Sequence, residues 1–102
     1  MRIIVLFNLK PGVDAADYEE WARTRDIPGV RALVSIDDFQ VYRTTGLFGT
    51  DAKPPYGYIE VIDIKGMDEF LTDVSNERVQ EVAAEFQRYA DNPLFITTEA
   101  IA

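Results

Sequence analysis

The hydrophobic pattern is most distinctive in residues 56–64, a β-branched run with apolar side chains on both faces. In a strand, Tyr58 and Ile62 point to one face, whereas Ile59 and Val61 point to the other. A strand with one face in water alternates apolar and polar residues. Residues 56–64 therefore predict a central strand that is covered on both faces, and Arg2–Leu9 predicts a second one for the same reason.

Three segments carry apolar residues at helical spacing. The first helix is predicted to begin after a capping Asp14, to run to about Arg25 and to end at residues 27–29, Ile-Pro-Gly. Its inward stripe would consist of Tyr18, Trp21, Ala22 and Arg25. Gly66 is predicted to open a short second helix, and Ser75 and Asn76 to cap a third, which stops at residues 92–93, Asn-Pro.

The remaining segments predict two further strands and a long loop. Residues 32–43 read as a strand whose alternation breaks at Asp37 and Asp38, which predicts a bulge or a strand end in solvent. Residues 94–101 read as the last strand. Residues 44–55 contain glycine and proline breakers around Leu47 and Phe48, so they predict a long hairpin loop that serves as a lid or as an arm on a neighbouring subunit.

The resulting order, β-α-β-β-α-α-β, predicts one α+β domain over residues 1–102 with the fold of a ferredoxin-like sandwich. Its helices lie on one face of a four-stranded antiparallel sheet, which leaves the other face bare. Because that face carries Ile4, Leu6, Ile59 and Val61, we expect two copies to pack sheet against sheet in a homodimer.

Composition narrows the chemistry that the protein can perform. Eighteen acidic and ten basic side chains give a net charge of −8, which predicts no nucleic-acid partner and no anionic membrane partner. Histidine and cysteine are both absent, so we expect no metal and no cofactor, and catalysis would depend on carboxylates, tyrosines, arginines or backbone groups. We expect a cytoplasmic protein, because no apolar run approaches the roughly 18 residues of a membrane span.

Three segments resemble the RedY-like (HapK) family, which belongs to the dimeric α+β barrel superfamily. They are residues 1–13 (MRIIVLFNLKPGV), 17–33 (DYEEWARTRDIPGVRAL) and 42–48 (YRTTGLF). The resemblance implies a dimeric α+β barrel and a link to secondary metabolism, notably of prodiginine-type pigments, with assistance to a condensation, cyclisation or dehydration. The superfamily also contains cofactor-free monooxygenases, isomerases and haem enzymes, and the absence of histidine argues against the haem-binding branch.

Similar barrels bind small molecules between the sheet and the helices of each subunit. In this chain, that placement predicts a cavity with Glu60 and Tyr58 as catalytic residues. The predicted substrate-binding residues are Phe7, Trp21, Arg25, Ile62, Arg78, Phe86 and Tyr89. Aromatic walls with few polar groups are the usual composition of a small-molecule site.

Several of these residues also have a purely structural interpretation. Glu60 is either an acid–base group, oriented by Tyr58, Tyr89 or an arginine, or the partner of Arg25 or Arg78 in a buried ion pair. Trp21 could either stack on a bound aromatic molecule or simply be part of the hydrophobic core. Arg25 could instead pair with Glu20 or Asp26 at the helix end.

The leading hypothesis is therefore a small homodimeric, cofactor-free enzyme that acts on an aromatic or heteroaromatic intermediate by proton transfer from a carboxyl group. A cofactor-free monooxygenase is the first alternative. A non-catalytic protein that binds a small hydrophobic molecule is the second.

Overall fold

A computed structural model describes all 102 residues of the chain. The elements follow in the order β1 (Arg2–Leu9), α1 (Ala15–Trp21), a π-helical turn (Ala22–Asp26), α2 (Ile27–Arg31), β2 (Ile36–Arg43), β3 (Tyr58–Ile64), α3 (Met67–Val74), α4 (Glu77–Tyr89) and β4 (Ala90–Thr97). The four strands form one antiparallel sheet in the order β2-β3-β1-β4. The predicted α+β, ferredoxin-like fold is confirmed.

The two central strands, β1 and β3, present their alternate residues to a helix-covered face and to a bare face. Burial along β3 alternates strictly between buried and half-buried residues. On the covered face, Val5 lies opposite Glu60, and Ile3 lies opposite Ile62. The side chains of the bare face are mainly apolar: Ile4, Leu6, Tyr42, Ile59, Val61, Leu94 and Ile96. Tyr42, Leu94 and Ile96 are each more than two-fifths exposed.

An aromatic cluster forms the centre of the core. The Phe7 ring stacks on Tyr58 at 5.4 Å and meets Phe86 edge-on at 5.0 Å. Tyr18 packs edge-on against both Phe7 and Tyr58. Each such pair adds about 0.5–1.5 kcal/mol beyond the burial of apolar area. The cluster fixes α1 and α4 against the sheet.

The first helical segment differs from the prediction that it ends at residues 27–29. α1 ends at Trp21, and the next five residues form a π-helical turn in which the Ile27 N–H donates to the Ala22 carbonyl. The chain then continues as α2 through Pro28, because proline is tolerated in the first turn of a helix. The prediction was wrong because nothing in the sequence indicates a π turn. After that turn, α2 begins at Ile27, so Pro28 lies in its first turn, where a proline does not break the helix.

Two strand boundaries were also predicted wrongly. β2 begins at Ile36 rather than at residue 32, although the predicted bulge is confirmed, since the register shifts between Ile36 and Asp38. β4 spans Ala90–Thr97 rather than residues 94–101. Asn92 adopts a φ of 44° where the register with β1 shifts, and Pro93 is accommodated because β4 is an edge strand.

The helix caps and the long loop follow the prediction. Asp14 accepts from the Ala16 N–H at 2.8 Å, and Asn76 accepts from the Arg78 N–H at 2.8 Å. Residues 44–57 contain no regular element, and Phe48 near their tip is fully exposed. The role of this loop as a lid or an arm stays a prediction. None of the helices combines the length and the apolar character needed to cross a membrane.

Candidate functional site

A cavity of about 840 Å³ lies against the helix-covered face of the sheet. The π-helical turn, α2, α3 and α4 supply most of its walls, and β2, β3 and β4 supply its floor. Its apolar lining includes Leu33, Phe39, Ile62, Phe70, Val82 and Phe86. A cavity of this size and composition suits a small, largely apolar molecule.

Glu60 is one of two buried carboxyl groups on the cavity wall. It lies in the middle of β3 between Val5 and Val41, and only 4% of its surface is exposed. Its Oε2 atom has no hydrogen-bond partner. Burial, together with the nearby charge of Asp26, raises the pKa of Glu60 well above its ordinary value. The surroundings of Glu60 therefore favour its neutral, protonated form over the carboxylate.

Asp26 is the second buried carboxyl group, and it was not among the predicted site residues. It is 6% exposed, it lines the same cavity, and its Oδ2 atom has no hydrogen-bond partner. Burial raises the pKa of Asp26 to about 7. Two carboxyl groups with elevated pKa values therefore border one cavity, which is an arrangement typical of acid–base sites.

The π-helical turn explains why Asp26, and not Arg25, faces inward. In a continuous α-helix, Arg25 would follow Tyr18 and Trp21 on the inward stripe. A π turn contains about one more residue than an α turn, so it rotates the next side chain into the inward position. Tyr18, Ala22 and Asp26 are accordingly buried, while Arg25 is exposed. The sequence could have revealed Asp26 only if the π turn had been anticipated.

Glu60 forms no ion pair with an arginine, so the predicted pairing with Arg25 or Arg78 is wrong. The Arg25 guanidinium binds Glu85 of α4, with Nε 2.9 Å from Oε1. The Trp21 indole N–H donates to the same Oε1 atom at 2.7 Å. Arg25 therefore pairs with neither Glu20 nor Asp26, and this contact ties the π-helical turn to α4 instead.

Tyr58 does not orient Glu60, in contrast to the prediction. Its hydroxyl donates to Glu19 Oε2 at 2.8 Å, and Arg43 Nη2 lies 2.9 Å from Oε1 of the same carboxylate. Burial and this hydrogen bond raise the pKa of Tyr58 to about 12. Tyr58 lies in the aromatic cluster, where its hydroxyl serves a structural contact.

The predicted site residues thus fall into two groups. The cavity walls contain Arg25, Glu60, Ile62, Arg78 and Phe86. The core beside the cavity contains Phe7, Trp21, Tyr58 and Tyr89. Tyr18, which belongs to this core, has a buried hydroxyl without a hydrogen-bond partner, and burial followed by the charge of Glu60 raises its pKa. No three acidic side chains converge closely enough to hold a metal ion.

Comparisons with known proteins agree with this architecture. The family described as "REDY-like protein HapK" matches residues 1–101. The solved structure of HapK from Hahella chejuensis is 25% identical, with 100% of this chain and 96% of that chain covered and a TM-score of 0.75. The solved structure of a protein from Arabidopsis thaliana is 16% identical, with 99% of this chain and 95% of that chain covered and a TM-score of 0.81.

A third similar structure, described as a dimeric ferredoxin-like protein of unknown function, comes from Thermobifida fusca. It is 18% identical, with 93% of this chain and 85% of that chain covered and a TM-score of 0.73. None of the curated proteins that were compared matches the chain.

Proposed function

Since the chain belongs to the REDY-like HapK family, we propose that it is a homodimeric, cofactor-free enzyme that assists a condensation, cyclisation or dehydration. The substrate is an aromatic or heteroaromatic intermediate of secondary metabolism, bound in the cavity between α4 and the sheet. We expect the enzyme to act in the cytoplasm, because a chain without cysteine gains no disulfide from an oxidising compartment.

The observation that carries this proposal is the carboxyl group of Glu60. Burying an unpartnered carboxyl costs free energy, and a fold retains such a group only when something offsets that cost. Glu60 lies on the wall of an apolar cavity with its Oε2 unpartnered, where it can exchange a proton with a bound molecule. A carboxyl group with a raised pKa transfers protons efficiently near neutral pH.

The bare face of the sheet supports the homodimer. Its apolar side chains on β1, β3 and β4 form a continuous row across neighbouring strands. Such a row is larger than the isolated apolar residues that monomers commonly expose. A two-fold axis through this face would bury the row in both subunits and leave both cavities open.

The test is Glu60→Gln, which keeps the shape of the side chain and removes its proton. Candidate heteroaromatic carbonyl and hydroxyl compounds are incubated with the wild-type protein, and a product that has lost water is sought by mass spectrometry. Once a substrate has been identified, we expect the turnover rate of the variant to be roughly 10²- to 10⁴-fold lower than that of the wild type, at an unchanged melting temperature. The exposed Glu20 provides the matched control, Glu20→Gln, which keeps full turnover.

Two other outcomes would contradict the proposal. Oxygen consumption that accompanies turnover would identify a cofactor-free monooxygenase. Stoichiometric binding of the same compounds without any product would identify a non-catalytic binding protein.

A further inference from the structure

Asp26 and Glu60, hereafter the carboxyl pair, differ from every other carboxylate in the protein. Both are more than nine-tenths buried, both line the same cavity, and each has one oxygen without a hydrogen-bond partner. They come from different elements, since the π-helical turn supplies Asp26 and β3 supplies Glu60. The fold therefore brings two acid groups into one apolar space at a cost that no internal contact offsets.

The charged and titratable groups around the carboxyl pair do not neutralise it. Tyr18, from α1, carries no charge, since a phenol is protonated at neutral pH and burial raises the pKa of Tyr18 further. Arg25, from the π-helical turn, already binds Glu85. Arg78 and Glu81, from α4, line the cavity but are exposed to solvent. With no buried cation beside them, two ionised carboxylates would repel each other strongly in this low-dielectric space.

We propose that the carboxyl pair holds one proton between its two members, so that the cavity offers an acid and a base to the same bound molecule. This inference rests on the proposed function and makes Asp26 a second catalytic residue. The matching ligand has a hydrogen-bond donor and an acceptor that reach the two carboxyl groups together. A flat, conjugated molecule with an acidic X–H bond and a carbonyl or hydroxyl oxygen has this chemistry.

Proton balance follows directly from the arrangement. Glu60, whose neutral form is favoured by burial and by the charge of Asp26, donates its proton to the acceptor oxygen. The Asp26 carboxylate removes a proton from the donor atom. In a dehydration, the protonated hydroxyl leaves as water and the electrons of the broken X–H bond form the new double bond. The pair still holds one proton afterwards, now on Asp26, and solvent exchange or proton transfer between the two groups restores the starting state.

The experiment follows the two carboxyl groups themselves, independently of any substrate. Protein labelled with ¹³C at the Asp and Glu side-chain carboxyls is titrated by NMR in the wild type, Asp26→Asn, Glu60→Gln and the exposed control Glu20→Gln. We expect Asp26 to titrate first in the wild type, and Glu60 to titrate at a distinctly higher pH. Removing the Asp26 charge should lower the Glu60 midpoint, whereas Glu60→Gln should leave the Asp26 midpoint in place.

Each outcome decides the inference. A Glu60 midpoint that is identical in the wild type and in Asp26→Asn would overturn it, and so would simultaneous ionisation of both groups below pH 5. If Asp26→Asn does not fold, the wild-type titration still tests the inference, because a Glu60 that ionises before Asp26 or together with it would overturn it. If the titration shows that Asp26 and Glu60 are coupled but Glu60→Gln keeps full turnover, the shared proton is supported and the proposed function is refuted.

Discussion

The buried Asp26 should make the protein progressively less stable as the pH rises from 4 to 8. Its pKa is raised from 3.8 to about 7, so the folded state binds the proton more tightly than the unfolded chain between these two values. Stability falls with rising pH wherever the folded state binds more protons. The stability begins to fall near the pKa of Asp26 in the unfolded chain, continues to fall up to its pKa in the folded protein, and levels off above that pH.

The magnitude follows from the gap between the two pKa values. At 1.36 kcal/mol for each pKa unit, the gap between about 7 and 3.8 corresponds to about 4 kcal/mol. Asp26→Asn removes the titration while keeping the shape of the side chain. We therefore expect the variant to match the wild type at pH 4 and to exceed it by up to about 4 kcal/mol at pH 8.

Urea unfolding at several pH values, followed by the fluorescence of the single tryptophan, Trp21, measures this difference. With a slope of about 2 kcal/mol per M, 4 kcal/mol moves the midpoint by roughly 2 M. The protein concentration is held fixed, because the apparent stability of the proposed dimer depends on it. Glu20→Gln, an exposed carboxyl substitution, should track the wild type at every pH.

A pH-independent difference between Asp26→Asn and the wild type would refute this reasoning. A variant that is less stable than the wild type at pH 8 would also refute it, because the ionised Asp26 would then be stabilised by its surroundings.

Two further predictions concern the bare face and the contact between the π-helical turn and α4. Val61→Lys places a charge on the bare face of the sheet, so size-exclusion chromatography with light scattering should show monomer or aggregate, whereas we expect a dimer for the wild type. A wild-type monomer at micromolar concentration would contradict the proposed assembly. Glu85→Gln weakens the charge-assisted contacts to Arg25 and Trp21. The fluorescence of Trp21 should therefore shift to longer wavelength, and the melting temperature of the protein should fall. An unchanged emission spectrum would show that Glu85 does not hold the π-helical turn against α4.

The sequence was sufficient to predict the fold because its strand signals are local and consistent. The two-faced apolar pattern of β1 and β3 identified the centre of the sheet. The alternation grouped Tyr58, Glu60 and Ile62 on one face, and the resemblance to similar barrels assigned that face to the helices. Capping residues placed the helix starts, because a cap is a contact between residues two or three positions apart. The strand ends were less accurate, since the bulges at Asp37 and Asn92 depend on pairing with a distant strand.

The candidate site was predictable only in part, for a related reason. Glu60 stood out because a lone carboxylate in a buried strand is unusual wherever the strand lies. Asp26 did not stand out, because its inward orientation depends on one π turn that helical periodicity does not encode. The partners of Arg25 and Tyr58, Glu85 and Glu19, lie 60 and 39 residues away, so only the folded chain reveals these contacts.

Binding of a neutral aromatic probe shows whether the cavity between the helices and the sheet takes up a small molecule, because β3 has side chains on both faces of the sheet. In methyl-labelled protein, Ile62 points into the cavity, whereas Ile59 and Val61 point to the bare face. Quinoline and 2-naphthol are titrated into the protein, and the methyl resonances are followed by NMR. We predict saturable shifts of Ile62 and of Val82 on the cavity wall, with Ile59 and Val61 unmoved. Shifts confined to Ile59 and Val61, or no saturable shift at all, would contradict the assignment of this cavity as the small-molecule site.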